Sequence, residues 1–191
     1  MSKYDYIDNY ASAKNLEKRN NLHLSLPLDT PYVIGVYMGD FCNFSCVYCA
    51  QSLPNEHEER KHLIRKYFSY EDFTKVIDQL LCFPKKIKTL VLTSVGEPTL
   101  NRYLPEMIEY AYKKDIAECI QLVTNGSLLT RDLSKKIIDA GLSKIVISIQ
   151  GVTEEKYKRV CNYNINMEKF IENLTFLYTY SRNTGGGVKF I

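Results

Sequence analysis

The chain has no tryptophan, three histidines and six prolines in 191 residues, and no long apolar run. A helix that crosses a bilayer needs about 20 consecutive apolar residues. Nothing here approaches that, which excludes a helical membrane protein. Residues 1–21 are polar and rich in tyrosine, without the apolar segment of a secretory signal. The chain therefore reads as cytoplasmic, with no membrane partner expected. An excess of one charge is missing as well, since 25 basic residues against 22 acidic ones leave +3. The lysines are spread among acids instead of gathered in a stripe, so there is no electrostatic footprint for nucleic acid. Cysteines number six. With three of them in one short loop they fit a reducing compartment, where thiols serve metals more often than disulfides. The fifteen tyrosines carry no functional signal.

What is present is a globular balance, 45% hydrophobic and 25% charged residues, with enough apolar surface for one domain of ordinary size. Residues 1–30 have little patterning and end in a segment with Pro27 and Pro31, which discourage a helix. They are expected to form an N-terminal extension, a linker or an outer flap, ahead of a core over residues 31–191. Short β-rich runs at residues 32–38, 89–93, 119–123, 144–149 and 188–191 predict five strands. Helical periodicity fills the gaps between them. Ser69 and Asp72 have capping-box spacing, and Phe73, Val76, Ile77, Leu80 and Leu81 then line one face. Residues 103–113 put Leu104, Met107, Ile108 and Ala111 inward, and Thr130 caps a helix to Ala140 that Gly141 closes. Residues 167–180 carry Phe170, Ile171, Leu174 and Leu177 at helical spacing. Such alternation means right-handed crossovers and an α/β fold with a parallel sheet, whose ligands gather at the C-terminal ends of the strands. No covering helix follows the last predicted strand, so an incomplete sheet or partial barrel, and a truncated core, are expected.

Cys42, Cys46 and Cys49 stand in the run Phe41-Cys42-Asn43-Phe44-Ser45-Cys46-Val47-Tyr48-Cys49, at the end of the first predicted strand. Three thiolates this close can converge on one centre. Cubane iron–sulfur clusters are normally held by four, which leaves one iron in search of a ligand. Phe41, Phe44, Val47 and Tyr48 lie among the thiols and would keep water off a cluster, one of the levers on its potential. Zinc is the rival reading, but closed zinc sites want four nitrogen or sulfur ligands, commonly as two spaced pairs. No second pair is visible, although His57 or His62, in the charged segment 54–66, could supply a fourth ligand. Three unrelated buried cysteines are the third reading. Cys82, Cys119 and Cys161 read as small buried hydrophobes. The glycines at 185–187 lack the strand-to-helix context of a phosphate loop and read as a flexible turn.

Each of the next three strands ends in polar groups. The second runs into Ser94-Val95-Gly96-Glu97-Pro98, where Gly96 permits close backbone approach or positive φ and Pro98 pins the turn. The third ends in Thr124-Asn125-Gly126, where the asparagine and glycine tolerate left-handed backbone. The fourth ends in Ser148-Ile149-Gln150-Gly151, with Ser148 and Gln150 on one face by alternation. Arg159 follows in a charged segment. Each of these also reads as an ordinary turn or solvated side chain when taken alone.

In this order and spacing the motifs resemble those of the radical S-adenosylmethionine (SAM) enzymes over residues 33–159, about two thirds of the chain. In that family the three-cysteine loop holds a [4Fe-4S] cluster whose free iron is chelated by the amino and carboxylate groups of SAM. The resemblance implies that Cys42, Cys46 and Cys49 are the cluster ligands and that Tyr48 fills the aromatic position before the third cysteine. It places Gly96, Glu97 and Pro98 on a Gly-Gly-Glu-Pro segment that binds the SAM amino group, with Val95 in place of the first glycine. Asn125 would hydrogen-bond the ribose, Ser148 and Gln150 would lie near the SAM carboxylate or ribose, and Arg159 would pair with the carboxylate. The implied fold is a partial (β/α)6 TIM-like barrel.

The implied reaction is reductive cleavage of SAM to a 5′-deoxyadenosyl radical, which takes a hydrogen atom from a peptide or a small molecule such as a sugar or alcohol. The implied partner is an electron donor such as flavodoxin or ferredoxin. The segments around the motifs look most like the branch that carries a C-terminal domain with auxiliary clusters, and no such domain stands before Ile191. Two alternatives remain at this point: a zinc-binding interaction module, and a truncated domain of this family that is catalytically silent.

Overall fold

The computed structural model describes residues 26–57, 60, 63, 65–184 and 188–191. The elements run β1 (Val33–Tyr37), α1 (Tyr70–Leu80), β2 (Thr89–Thr93), α2 (Leu104–Lys113), β3 (Ile120–Thr124), α3 (Arg131–Asp139), β4 (Lys144–Ile147), α4 (Glu154–Cys161), α5 (Met167–Asn183) and β5 (Lys189–Phe190). The five strands lie side by side in sequence order, each parallel to its neighbours. Among the described residues these are the five strands that the apolar runs predict, one fewer than a full (β/α)6 barrel has, and the sheet is not closed into a ring. Of the extension expected over residues 1–30, only 26–30 are described, and there the Asp29 carboxylate meets Lys85 at 2.7 Å. The glycines at 185–187 lie outside the described residues.

Alternation along each strand sorts the side chains onto two unlike faces. Val36, Leu92, Leu122, Ile145 and Phe190 pair in one level row across the sheet, and Ile34, Leu90 and Ile120 form a second. These rows meet Phe73 and Ile77 of α1, Met107 and Ile108 of α2, Ile137 of α3 and Leu177 of α5 in one core. Among the described residues the opposite face has no such cover. Val33 and Tyr37 are largely exposed there, beside half-buried Thr89, Val91, Thr93, Gln121, Val123 and Val146.

The helix ends follow the local chemistry. The Ser69 hydroxyl accepts the Asp72 N–H at 3.0 Å and the Thr130 hydroxyl accepts the Leu133 N–H at 3.2 Å, each supplying a donor at a helix start with a partner. Gly141, just past α3, has φ +97°, and an added Cβ would lie 2.3 Å from the Tyr112 ring. Helix α4 is absent from the periodicity reading because it buries only Tyr157 and Cys161 in eight residues. Its termini are nonetheless well marked, with Thr153 accepting the Lys156 N–H, Glu154 and Glu155 in the first turn and Lys158 and Arg159 in the last, as the helix dipole favours. A second, smaller core gathers Phe44, Tyr157, Cys161, Ile165 and Phe170 at the C-terminal edge of the sheet, with Cys42 and Cys46 packed against it.

Candidate cluster and cofactor site

The loop that carries the three cysteines leaves β1 and crosses the C-terminal edge of the sheet to α4. Two backbone hydrogen bonds fasten it there, from Ser45 N–H to the Cys161 carbonyl and from Val47 N–H to the Val160 carbonyl, both 2.9 Å. They use carbonyls at the end of α4 that have no partner within the helix. Phe44 is buried between Tyr157 and Tyr163, its ring centroid 6.0 and 4.6 Å from theirs. The Phe41 ring lies tilted against that of Tyr67, centroids 4.8 Å apart. Val47 and Tyr48, expected to shield the thiols, are instead 68% and 65% exposed. Val47 gives only its backbone N–H to α4, and its side chain and that of Tyr48, the next residue, face outward. The loop then turns, Cys49 N–H donating to the Cys46 carbonyl at 2.9 Å, into a short 3-10 turn at Ala50–Ser52.

All three thiols are free and half-buried. Burial pushes the Cys42 thiol up to about 11, with Glu97, Cys46 and Cys49 adding to the rise and the N–H of Phe44, 3.3 Å from the sulfur, opposing it. Burial, with the nearby Cys46 thiol adding to it, pushes the Tyr48 hydroxyl and the Cys161 thiol above their ordinary range. Among the described residues no three Cys, His, Asp or Glu side chains are drawn together at metal-ligand spacing, and that includes the three cysteines. Coordination to a cluster deprotonates a thiol and draws its ligands together. The donor set fits a cluster that needs three protein ligands: three free thiols on one anchored loop beside an apolar wall. Closed zinc would need a fourth nitrogen or sulfur ligand; His57 is not gathered with the cysteines among the described residues, and His62 lies outside the described residues. Cys161 is buried as expected, Cys119 is half-buried, and Cys82 is exposed because it follows α1 where the chain turns away from the core.

The loops after β2 and β3 lock against this one. An added Cβ on Gly96 would lie 2.0 Å from the Phe41 carbonyl oxygen. The close approach foreseen for this glycine is thus to the chain's own backbone just before Cys42. The next N–H, of Glu97, donates to that same oxygen at 2.7 Å. The Glu97 side chain, 4% exposed, is a strut. Its Oε1 accepts Thr99 N–H at 3.0 Å and the hydroxyls of Thr99 at 2.6 Å and Thr124 at 2.5 Å, while Oε2 accepts the Asn125 N–H at 2.7 Å. A carboxylate offers about four acceptor positions, so only Oε2 retains capacity. Pro98 starts the 3-10 turn Pro98–Leu100. Asn125 is buried, its amide donating to Asn43 Oδ1 at 3.0 Å and its Oδ1 accepting the N–H and hydroxyl of Ser127 at 2.9 and 2.8 Å.

Ser148 and Gln150 lie at the end of β4. Ser148 is exposed, its N–H on the Thr124 carbonyl at 2.9 Å. Gln150 Oε1 accepts the Tyr48 hydroxyl across the site, so two residues 102 apart in sequence meet there. Arg159 is exposed in the last turn of α4 with no described partner. Sequence reasoning passed over Asn43, Thr124 and Ser127, which orient Asn125 and Glu97. It also passed over Gln51, buried, whose amide donates to the Asp40 carbonyl at 2.7 Å. Gln51 offered one signal, an uncharged amide two residues after the last cysteine; the others offered none beyond lying next to a motif.

The sequence model of the radical SAM superfamily matches residues 36–188. The chain belongs to that superfamily. It is 36% identical over 118 residues to Fe-coproporphyrin III synthase of Methanosarcina barkeri, covering 61% of this chain and 27% of that protein. It is 35% identical over 135 residues to GTP 3',8-cyclase of Aliarcobacter butzleri, covering 70% and 38%. The chain thus spans only about a quarter to two fifths of the curated relatives it matches. Among solved structures, Streptococcus suis SuiB bound to precursor peptide SuiA superposes on the whole chain with TM-score 0.62 at 16% identity, covering 38% of SuiB. BtrN in complex with AdoMet and 2-DOIA superposes on 73% of this chain and 54% of BtrN, with TM-score 0.53 at 20% identity. These likenesses are of fold, and they make the open sheet part of a TIM-like barrel. Radical SAM proteins are enzymes, and the cofactors of the superfamily are a [4Fe-4S] cluster and SAM.

Two outcomes follow from the geometry. Replacing Glu97 by Gln turns an amide donor toward one of the donors that the carboxylate now accepts. The chain should lose about 1–3 kcal/mol of stability, read as a lower urea midpoint at unchanged slope; an unchanged midpoint would show that the strut is not needed. A Cys42 thiol raised to about 11 holds its proton at neutral pH, so loading iron and sulfide must release it. The initial rate of anaerobic cluster assembly should therefore climb as pH rises from 7 to 9, by roughly tenfold per unit where this proton limits. A rate flat in pH would remove Cys42 deprotonation from the loading step.

Proposed function

We propose that this chain is the SAM-cleaving core of a radical SAM enzyme, with Cys42, Cys46 and Cys49 as the three protein ligands of its [4Fe-4S] cluster. The observation that carries the proposal is the meeting of the cysteine loop with the loops after β2, β3 and β4 on one edge of the sheet, through Gly96 on Phe41, Asn125 on Asn43 and Gln150 on Tyr48. When bound, the cluster would supply one electron to the sulfonium of SAM, breaking its S–C5′ bond to leave methionine and a 5′-deoxyadenosyl radical able to take a hydrogen atom from the substrate.

The residues of the chain hold and orient. The remaining acceptor position of Glu97 Oε2 and the backbone beside Gly96 suit the ammonium of SAM, and Pro98 fixes the turn that presents them. Asn125, already held by Asn43 and Ser127, suits the ribose. Ser148 and Gln150 supply a hydroxyl and an amide at the neighbouring strand end, and SAM entering between the loops would exchange the Tyr48 hydroxyl on Gln150 for its own groups. Arg159, exposed and without a described partner, is free to reach a carboxylate. Phe44 and the second core behind it keep water from one side of the cluster, where low polarity strengthens every charge interaction.

The electron donor would be a small redox protein such as flavodoxin or ferredoxin, and the substrate a peptide or a small molecule. SuiB, with its bound precursor peptide, supports the first kind of substrate and BtrN, with its bound small molecule, the second. The zinc-module alternative lacks a fourth ligand among the described residues. A silent, truncated core remains the rival, and turnover decides between them. Chromatography with mass detection should find 5′-deoxyadenosine when the reconstituted chain is incubated with SAM and dithionite, and none with Cys46→Ala. A wild-type chain with a full cluster that forms no 5′-deoxyadenosine would sink the proposal in favour of the silent core.

A further inference from the structure

Two lysines stand side by side on the uncovered face of the sheet, Lys144 opening β4 and Lys189 opening β5, paired in register. They end a level row of Gly35, Val91, Gln121, Lys144 and Lys189. Adjacent strands lie about 4.8 Å apart, so the two side chains leave the backbone at that spacing, and like charges placed so close repel. Neither lysine has an ion-pair partner among the described residues, where the pairs engage Lys75, Lys85, Lys86, Lys113, Lys114 and Lys136. Lys189 borders a hollow of about 560 Å³ with Glu118 and Asp139. Asp139 is occupied by the Tyr180 hydroxyl at 3.0 and 3.1 Å, however, and Glu118 forms no described ion pair. At the other end of the row a Cβ on Gly35 would find nothing within 4 Å, so the face is open at that end among the described residues.

The row also has a fixed place relative to the cofactor edge. The next residues up the same face are Val123 and Val146, again paired in register, and above them come Asn125 and Ser148. Each step of two residues along a strand rises about 6.6 Å, which sets the lysines about 13 Å below Ser148. From bottom to top the face thus offers two cations and the Gln121 amide, then an apolar band, then the edge proposed for SAM.

We propose that Lys144 and Lys189 form the anion-binding end of the substrate site, taking a carboxylate or phosphate group of a substrate whose carbon skeleton lies along Val123 and Val146. The position of the reacting carbon, at the upper edge, rests on the SAM-cleaving function proposed above; the anion site rests on the lysine pair alone. An oxyanion between the two ammonium groups relieves their repulsion and gains charge-assisted hydrogen bonds, with Gln121 as a further donor. A neutral molecule in the same place leaves both charges unpaired, so the pair selects against it.

The test titrates the full chain, with its cluster reconstituted and SAM present, with inorganic pyrophosphate and separately with succinate, by calorimetry at about 0.15 M salt, where weak surface attraction is screened. Wild type should bind at least one of them saturably, and the tighter of the two names phosphate or carboxylate as the natural group. Lys144→Gln with Lys189→Gln should weaken that binding about tenfold or more, while Lys158→Gln, on α4, leaves it unchanged. Equal affinity in the double variant, or no saturable binding to wild type, overturns the proposal. The SAM-induced change in the cluster's paramagnetic resonance, recorded on the same samples, should survive the double substitution. Its absence from wild type would count against the SAM site and leave the anion result to stand or fall by itself.

Discussion

The buried carboxylate of Glu97 joins the three parts of the site. A charge-bearing group taken out of water is costly unless its acceptor positions are filled. Here all but one position on Oε2 are filled, by Thr99 on its own turn, by Thr124 and by the backbone of Asn125 just after β3. Because Thr99 and Asn125 give backbone donors to it, two loops are held in relation to each other by one side chain. The N–H of the same residue reaches the Phe41 carbonyl, which brings in the cysteine loop. Gly96 is what lets the chains come that close, since a Cβ there would fall within 2.0 Å of that carbonyl oxygen. Asn125 extends the linkage to Asn43, inside the cysteine run itself. Motion of any one loop would therefore disturb the other two.

Beneath this edge the sheet supplies rigidity on one face and space on the other. The covered face is a close-packed apolar layer in which every residue of the row Val36, Leu92, Leu122, Ile145 and Phe190 joins the core. The uncovered face has the same backbone but a different chemistry, hydroxyls, an amide, valines and two lysines. That asymmetry follows directly from period-two alternation, and it separates the residues that hold the fold from those available to a ligand. The cysteine loop, hung from β1 and tied to the end of α4, closes over the top of that face.

Much of the fold was legible in the chain. The runs at residues 89–93 and 119–123 were apolar enough to mark β2 and β3, and Ser69 and Thr130 announced their helices through capping chemistry that acts within four residues. Helix α4 escaped because Tyr157 and Cys161 are its only buried side chains, too few for periodicity to register. At the site, the residue types at 42, 46, 49, 96, 97 and 125 were readable because their chemistry or backbone freedom is unusual for a loop. What those residues touch was not. The partners of Glu97 on β3 lie 27 and 28 positions away, and Tyr48 meets Gln150 across 102, separations that only the sheet topology brings together. The exposure of Val47 and Tyr48 was misjudged for the same reason, since apolar character gave no hint that the loop, fastened to α4 through its backbone, leaves these two side chains facing outward.

The most direct measurement is the electron paramagnetic resonance spectrum of the anaerobically reconstituted, dithionite-reduced chain, recorded with and without SAM. A reduced four-iron signal that shifts when SAM is added is the predicted result, since it requires both an iron open to a ligand and loops formed to hold that ligand. A chain that takes up zinc and gives no cluster signal, or a cluster signal that SAM leaves unchanged, would contradict it.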